Sequence, residues 1–124
     1  MKTEIYTMNA PAPIGPFSQA IKAQGTFLYV SGNIGIKDGA LITGGIKAQT
    51  QQTLDNINAI LREAGYSFQD VVKVNIFITN MDDFTAMNEV YASYFSKPEP
   101  ARTTVQVSRL PREAIVEIEL TAVK

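Results

Sequence analysis

Apolar residues recur at two spacings along this chain, and each switch between them marks an element. From Ile46 to Ala64, the positions Ile46, Thr50, Leu54, Ile57, Leu61 and Ala64 fall three and four apart. That is the period of one helix face, and Gly65 is a natural stop. Phe84, Met87, Tyr91 and Tyr94 keep helical spacing to about Phe95. Asn80-Met81-Asp82-Asp83 offers caps and early acidic charge before them, and Pro98 and Pro100 end the pattern. Elsewhere the period drops towards two. Phe27-Leu28-Tyr29-Val30 and Val72 to Thr79 are rich in aromatic and β-branched residues and predict strands. Pro100 to Pro111 and Ile115 to Leu120 alternate apolar and polar positions and predict two more. Lys37-Asp38-Gly39-Ala40 reads as a hairpin-type turn, because Asp-Gly readily supplies positive φ.

Between the start of the chain and the first confident strand lies Asn9-Ala10-Pro11-Ala12-Pro13-Ile14-Gly15-Pro16. Its prolines exclude a helix or an inner strand and predict an ordered loop, from which Phe17-Ser18-Gln19-Ala20 leads towards a strand. The resulting order is β-β-β-α-β-α-β-β, an α+β architecture in a single domain over residues 1–124. Two helices cover one face of such a sheet. Phe27-Leu28-Tyr29-Val30 and Ile76-Phe77-Ile78 are apolar towards both faces, so the uncovered face calls for another subunit.

Composition narrows the chemistry. The chain has no cysteine, histidine or tryptophan. Thiol nucleophiles, thiolate metal sites, disulfides and Ser-His-Asp catalysis are excluded. The formal net charge is −1, which favours neither nucleic acid nor an anionic membrane as a partner. No apolar run reaches the ~20 residues of a bilayer span, and the N-terminus does not read as an export signal, so a cytoplasmic protein is expected. There is no internal repeat and no low-complexity tract. Any catalysis must use Asp, Glu, Lys, Arg, Tyr, Ser, Thr or backbone groups.

Candidate chemistry concentrates near the C-terminus. Arg102, Thr104, Gln106 and Ser108 share one side of their predicted strand, with Val105 and Val107 on the other. An arginine held at the head of a strand presents a planar fork that matches a carboxylate. The following strand alternates Glu117 and Glu119 with aliphatic residues. A cation that grips an acid and a carboxylate that handles a proton are thus expected close together.

These segments, with several others, resemble the RidA/YjgF family of reactive-intermediate deaminases. The resemblance covers nearly the whole chain. It rests on residues 9–19, Val30-Ser31-Gly32, Leu54-Asp55-Asn56-Ile57, Asn88-Glu89-Val90-Tyr91, Pro100-Ala101-Arg102-Thr103, residues 105–111 and Val116-Glu117-Ile118-Glu119, in order and correctly spaced. It implies a chorismate-mutase-like fold with a mixed sheet, a homotrimer with sites in inter-subunit clefts, and hydrolysis of 2-imino acids to 2-keto acids and ammonia. It implies neither a cofactor nor a metal. Position by position, Arg102 resembles the carboxylate-binding arginine and Glu117 the acid beside the attacking water. Ser31 and Gly32 resemble the strand end that lines the pocket, and Asn88 a polar residue of the second helix. Phe17 stands where archetypal members carry tyrosine, and Thr104 where they carry cysteine. Both belong to the expected substrate-binding set, and both exchanges bear on substrate range.

Other readings of the same residues stand beside these. Glu119 suits the solvent side of an amphipathic strand. Phe84, Tyr91 and Tyr94 suit the core, Asn88 also suits a solvent-facing helix position, and Ser31-Gly32-Asn33 suits a plain strand end. The cleft would also serve a binding or regulatory module for 2-keto acids that performs no turnover. RNA cleavage, a role attributed to some relatives, lacks both a basic patch and a histidine pair.

Overall fold

The computed structural model describes residues 2–124. Its elements are β1 (Lys2–Ile5), β2 (Ala20–Ala23), β3 (Phe27–Asn33), β4 (Ile36–Lys37), β5 (Ala40–Leu41), α1 (Gly45–Glu63), β6 (Val71–Ile78), α2 (Phe84–Ala92), β7 (Ala101–Gln106) and β8 (Val116–Val123). The central sheet has the order β3-β8-β6-β7. β6 and β7 are parallel because α2 carries the chain back between them, while β8 runs antiparallel to both β3 and β6. The sheet is therefore mixed, as expected, with two helices packed on it. Neither helix is long and apolar enough to cross a membrane.

Among the described residues, five strands, not three, precede α1. Asp38 (φ 52°) and Gly39 (φ 81°) form a two-residue turn that closes β4 on β5, so the expected turn brings two short strands of its own. The strand expected from Pro100 to Pro111 stops at Gln106. Val107 N–H still donates to the Ile78 carbonyl at 2.8 Å. Beyond it the backbone turns, with Arg112 and Glu113 both at φ near +60°. Ser108 accordingly lies outside the strand. The second helix ends at Ala92. Ser93 and Tyr94 follow it as a turn, and Tyr94 and Phe95 pack edge-on against Phe68, with ring centroids 5.7 and 5.0 Å apart.

The core lies between the helices and one sheet face. Leu54, Ile57 and Leu61 of α1 and Met87 and Tyr91 of α2 are fully buried against Val74, Ile76, Ile78, Val116 and Ile118. Removing each such side chain from water stabilises the fold by about 1.5–3 kcal/mol. The other sheet face is bare. Tyr29 is 75% exposed, Phe27 51% and Val105 42%.

Candidate functional site

Strand register decides which side chains meet. In the parallel pair, Arg102 lies opposite Val74 and Thr104 opposite Ile76. Both therefore point to the helix-covered face, where Val74 and Ile76 are buried. There the Arg102 guanidinium is set among three rings. Its central carbon is 4.8 Å from the Tyr91 ring centroid, 5.4 Å from Phe17 and 5.8 Å from Phe84. Flat π-faces hold a guanidinium plane in place and offset part of its lost hydration. Burial draws the Arg102 pKa down from its usual value, and the Tyr91 hydroxyl pushes it partly back.

The residues around this cation come from three parts of the chain. β7 supplies Arg102 and Thr104, the proline loop supplies Ile14 and Phe17, and α2 supplies Phe84, Asn88 and Tyr91. Ile14, Phe17, Phe84, Arg102 and Thr104 line a cavity of about 150 Å³. Four buried polar atoms in this neighbourhood lack a hydrogen-bond partner: Arg102 Nη1, Thr104 Oγ1, Asn88 Oδ1 and the Tyr91 hydroxyl. Among the described residues, no carboxylate pairs with Arg102. A half-buried cation without an anion is costly, so this pocket is poised to gain from a small carboxylate.

Glu117 lies elsewhere. It is opposite Phe77 of β6, whereas Ile118 is opposite Ile76. Its side chain therefore points to the bare face, away from Arg102. The register of β3 against β8 shifts between Val30 and Asn33. This irregularity sets Ser31 and Gly32 together against the single position Glu119, and a Cβ on Gly32 would overlap the Glu117 carboxylate. A side chain at position 32 would displace the Glu117 carboxylate. The expectation that the cation and the proton-handling carboxylate lie close together fails within one protomer. Period two tells which residues of a strand share a side, not which side that is. Glu119, also on the bare face, accepts a hydrogen bond from Asn75 Nδ2 at 2.9 Å, consistent with a structural role. A hollow of about 260 Å³ near it is lined by Tyr29, Ser31, Lys73, Asn75 and Thr121 and does not include Glu117.

The expected residues thus fall into two sets. Arg102, Thr104 and Phe17 line the cavity and Asn88 lies beside it on α2, next to Gly15 of the proline loop, while Ser31, Gly32 and Glu117 belong to the opposite face. Three residues around the guanidinium or its cavity were not expected. Phe84 and Tyr91 read as core, and Ile14 carried no role. The spacing of Phe84, Asn88 and Tyr91, four and then three apart, places them on one helix face. Treating Asn88 as a site residue could therefore have brought in the two aromatics.

The fold and the cavity define a small α+β protein with a fixed cation open to a small anion. The family model described as Endoribonuclease L-PSP matches residues 7–124. The chain belongs to this family, also called YjgF/RidA. A RutC family protein of Pyrococcus horikoshii is 56% identical over 126 residues, covering 100% of this chain and 99% of the relative. A protein of Dermatophagoides farinae named 2-iminobutanoate/2-iminopropanoate deaminase is 47% identical, covering 95% of this chain and 93% of its own length. The crystal structure of RidA from Psychrobacter sp. PAMC 21119 superposes with a TM-score of 0.77 at 43% identity, covering 98% of this chain and 99% of that one.

Proposed function

We propose that this chain hydrolyses 2-imino acids to 2-keto acids and ammonia, in sites completed between copies of a homotrimer. The observation that carries the reading is the half-buried Arg102 guanidinium, ring-bound and without an anion, at the wall of a cavity sized for a small acid. Relatives named as deaminases of this substrate class support it. The back-to-back placement of Arg102 and Glu117 supports a shared site. A neighbour that covers the bare face of one protomer would bring its own cavity edge to that protomer's Glu117.

Chemically, the substrate carboxylate accepts parallel hydrogen bonds from the Arg102 fork, which fixes the adjacent C=N carbon. Water then adds to that carbon. The new C–O bond forms as the C=N π pair moves to nitrogen, and Glu117 accepts the proton that water releases. The substrate reacts as its protonated iminium, so returning that proton to nitrogen makes ammonia the leaving group. Collapse of the carbinolamine breaks C–N and forms the keto C=O as the hydroxyl proton passes to Glu117. Thr104 and Asn88 hold unpartnered oxygens near the cavity and can orient the substrate nitrogen or the water. No step requires a thiol or an imidazole. The endoribonuclease wording of the family model finds little support in a chain of net charge −1 without histidine.

The test is subunit complementation. A dehydratase generates 2-aminoacrylate or 2-iminobutanoate in situ, and keto-acid release is followed. Arg102→Ala and Glu117→Ala should each be inactive. Co-refolding them in equal amounts should restore about a quarter of the wild-type rate, because random three-membered rings place both intact residues at that share of junctions. Failure to restore activity would count against sites shared between copies. A wild type that binds 2-ketobutyrate yet leaves imine decay unchanged would make the site a carboxylate receptor.

A further inference from the structure

The proline loop that supplies Ile14 and Phe17 makes few hydrogen bonds of its own, such as Phe17 N–H to the Gly15 carbonyl at 2.8 Å. Pro11, Pro13 and Pro16 have no N–H to donate, so no strand ladder can form across it, and its carbonyls need donors from elsewhere. One side chain supplies them. Gln19 Oε1 accepts from Thr7 N–H at 2.7 Å. Gln19 Nε2 donates to the carbonyls of Thr7 at 3.1 Å, Ala10 at 3.4 Å and Pro11 at 2.8 Å. The Thr7 N–H requires an acceptor, which fixes the orientation of the amide. The pairing of β1 with β2 ends at Ile5 and Ala20, and the Gln19 side chain continues it where the backbone cannot.

The far end of the loop is held separately. Ser18 N–H donates to the Pro100 carbonyl at 3.3 Å, and the Ser18 hydroxyl donates to the Glu99 carbonyl. That joins the chain just after Phe17 to the residues just before Arg102. Between the two anchors the loop crosses the cavity, with Phe17 on the guanidinium and Ile14 at the mouth, 89% exposed. Ile14 has little packing of its own to keep it there.

We propose that Gln19 is a positioning residue for the Arg102 cavity. Its carboxamide clamps the proline loop so that Phe17 stays on the guanidinium and Ile14 remains available to the substrate side chain. Gln19 acts through the loop and does not touch substrate. The inference rests on the reading of the Arg102 cavity as the carboxylate site. Without the clamp, the loop must be ordered each time a ligand binds, so the loss falls on affinity and on selectivity among side chains before it falls on the chemical step.

Two variants test it. Gln19→Met keeps the length and removes every hydrogen bond, while Gln19→Glu keeps the acceptor for Thr7 N–H and loses the donors. In Gln19→Met, amide exchange at Thr7 and Phe17, whose N–H groups are hydrogen-bonded, should speed up about tenfold or more, with β6 and β8 unchanged. Its Kd for 2-ketobutyrate and its KM for 2-iminobutanoate should rise about tenfold, with kcat within about twofold of wild type. Gln19→Glu should protect Thr7 alone and fail to recover affinity. Unchanged loop exchange overturns the inference, as does a loosened loop with unchanged Kd. A wild type that binds 2-ketobutyrate without turning over imine defeats the deaminase reading alone, and the affinity arm still decides the role of Gln19. A wild type that binds neither ligand overturns both.

Discussion

The two faces of the central sheet handle polar groups in opposite ways. The helix-covered face contains an arginine, a threonine, an asparagine and a tyrosine hydroxyl, each with a buried atom that lacks a partner. The bare face carries ordinary surface pairs, such as Asn75 with Glu119 and Lys73 with Thr103, beside aromatics left in water. One face has polar groups where apolar ones would be more stable, and the other has the reverse. Unpaired polar groups inside a fold cost free energy and persist where a ligand satisfies them. Exposed aromatics persist where a partner covers them. The contrast supports the proposal that the first face is a receptor and the second an interface, and Glu117, beside Gly32, lies on the second.

The contrast breaks most sharply at Arg102. Arg102→Ala should reduce kcat/KM at least about 10²-fold, the scale of losing a desolvated bidentate ion pair, with the fold intact by circular dichroism. Arg102→Lys keeps the charge and loses the fork, and should recover only part of that loss. A normal rate in the alanine variant would remove the receptor face from the account.

On the bare face, Tyr29→Asp places a charge where a covering subunit would bury it. Sedimentation should then show a shift from trimer to monomer at micromolar concentration, with activity lost in parallel. A trimer that survives this change would place the interface elsewhere.

Gly32→Ala is a finer probe. The added methyl displaces the Glu117 carboxylate and leaves the cavity untouched. Turnover should fall about 10²-fold, while the Kd for 2-ketobutyrate stays within about twofold. Equal losses in both would mean that Glu117 takes part in ligand binding.

The smallest effect is on stability. Burial raises the Tyr91 pKa, and burial together with the Asp55 carboxylate raises that of Tyr94. An unfolded tyrosine ionises near about 10. Above that pH the unfolded chain loses protons that the folded chain keeps, so stability present below pH about 10 declines as pH rises further. Denaturant titrations across pH 9–12 (roughly one unit below to two above that value) should show this slope, and Tyr91→Phe should make it shallower. At neutral pH the same variant removes an unpartnered hydroxyl and should change stability by no more than about 1 kcal/mol. A slope equal to wild type would assign the alkaline loss to other groups.

Local pattern was a sound guide to the elements because helices and turns satisfy their own backbone. The 46–64 period gave α1 within a residue at each end, and Asp38-Gly39 produced its hairpin. Alternation also placed Arg102 with Thr104 and Glu117 with Glu119. It did not reveal the orientation of β7. Taken alone, that strand puts Val105 inward and Arg102 outward, whereas the structure does the opposite.

What the sequence by itself determined is the identity of both helices and of the central-sheet strands, the Arg102–Thr104 and Glu117–Glu119 pairings along their strands, and the absence of thiol and imidazole chemistry. Only the tertiary structure decided that these two pairs lie back to back, that Phe84 and Tyr91 enclose the guanidinium, and that Gln19 holds the loop above it. Those outcomes depend on which strands become neighbours and in what register. Such pairings join residues far apart in the chain, and a one-residue slip would reverse every side chain.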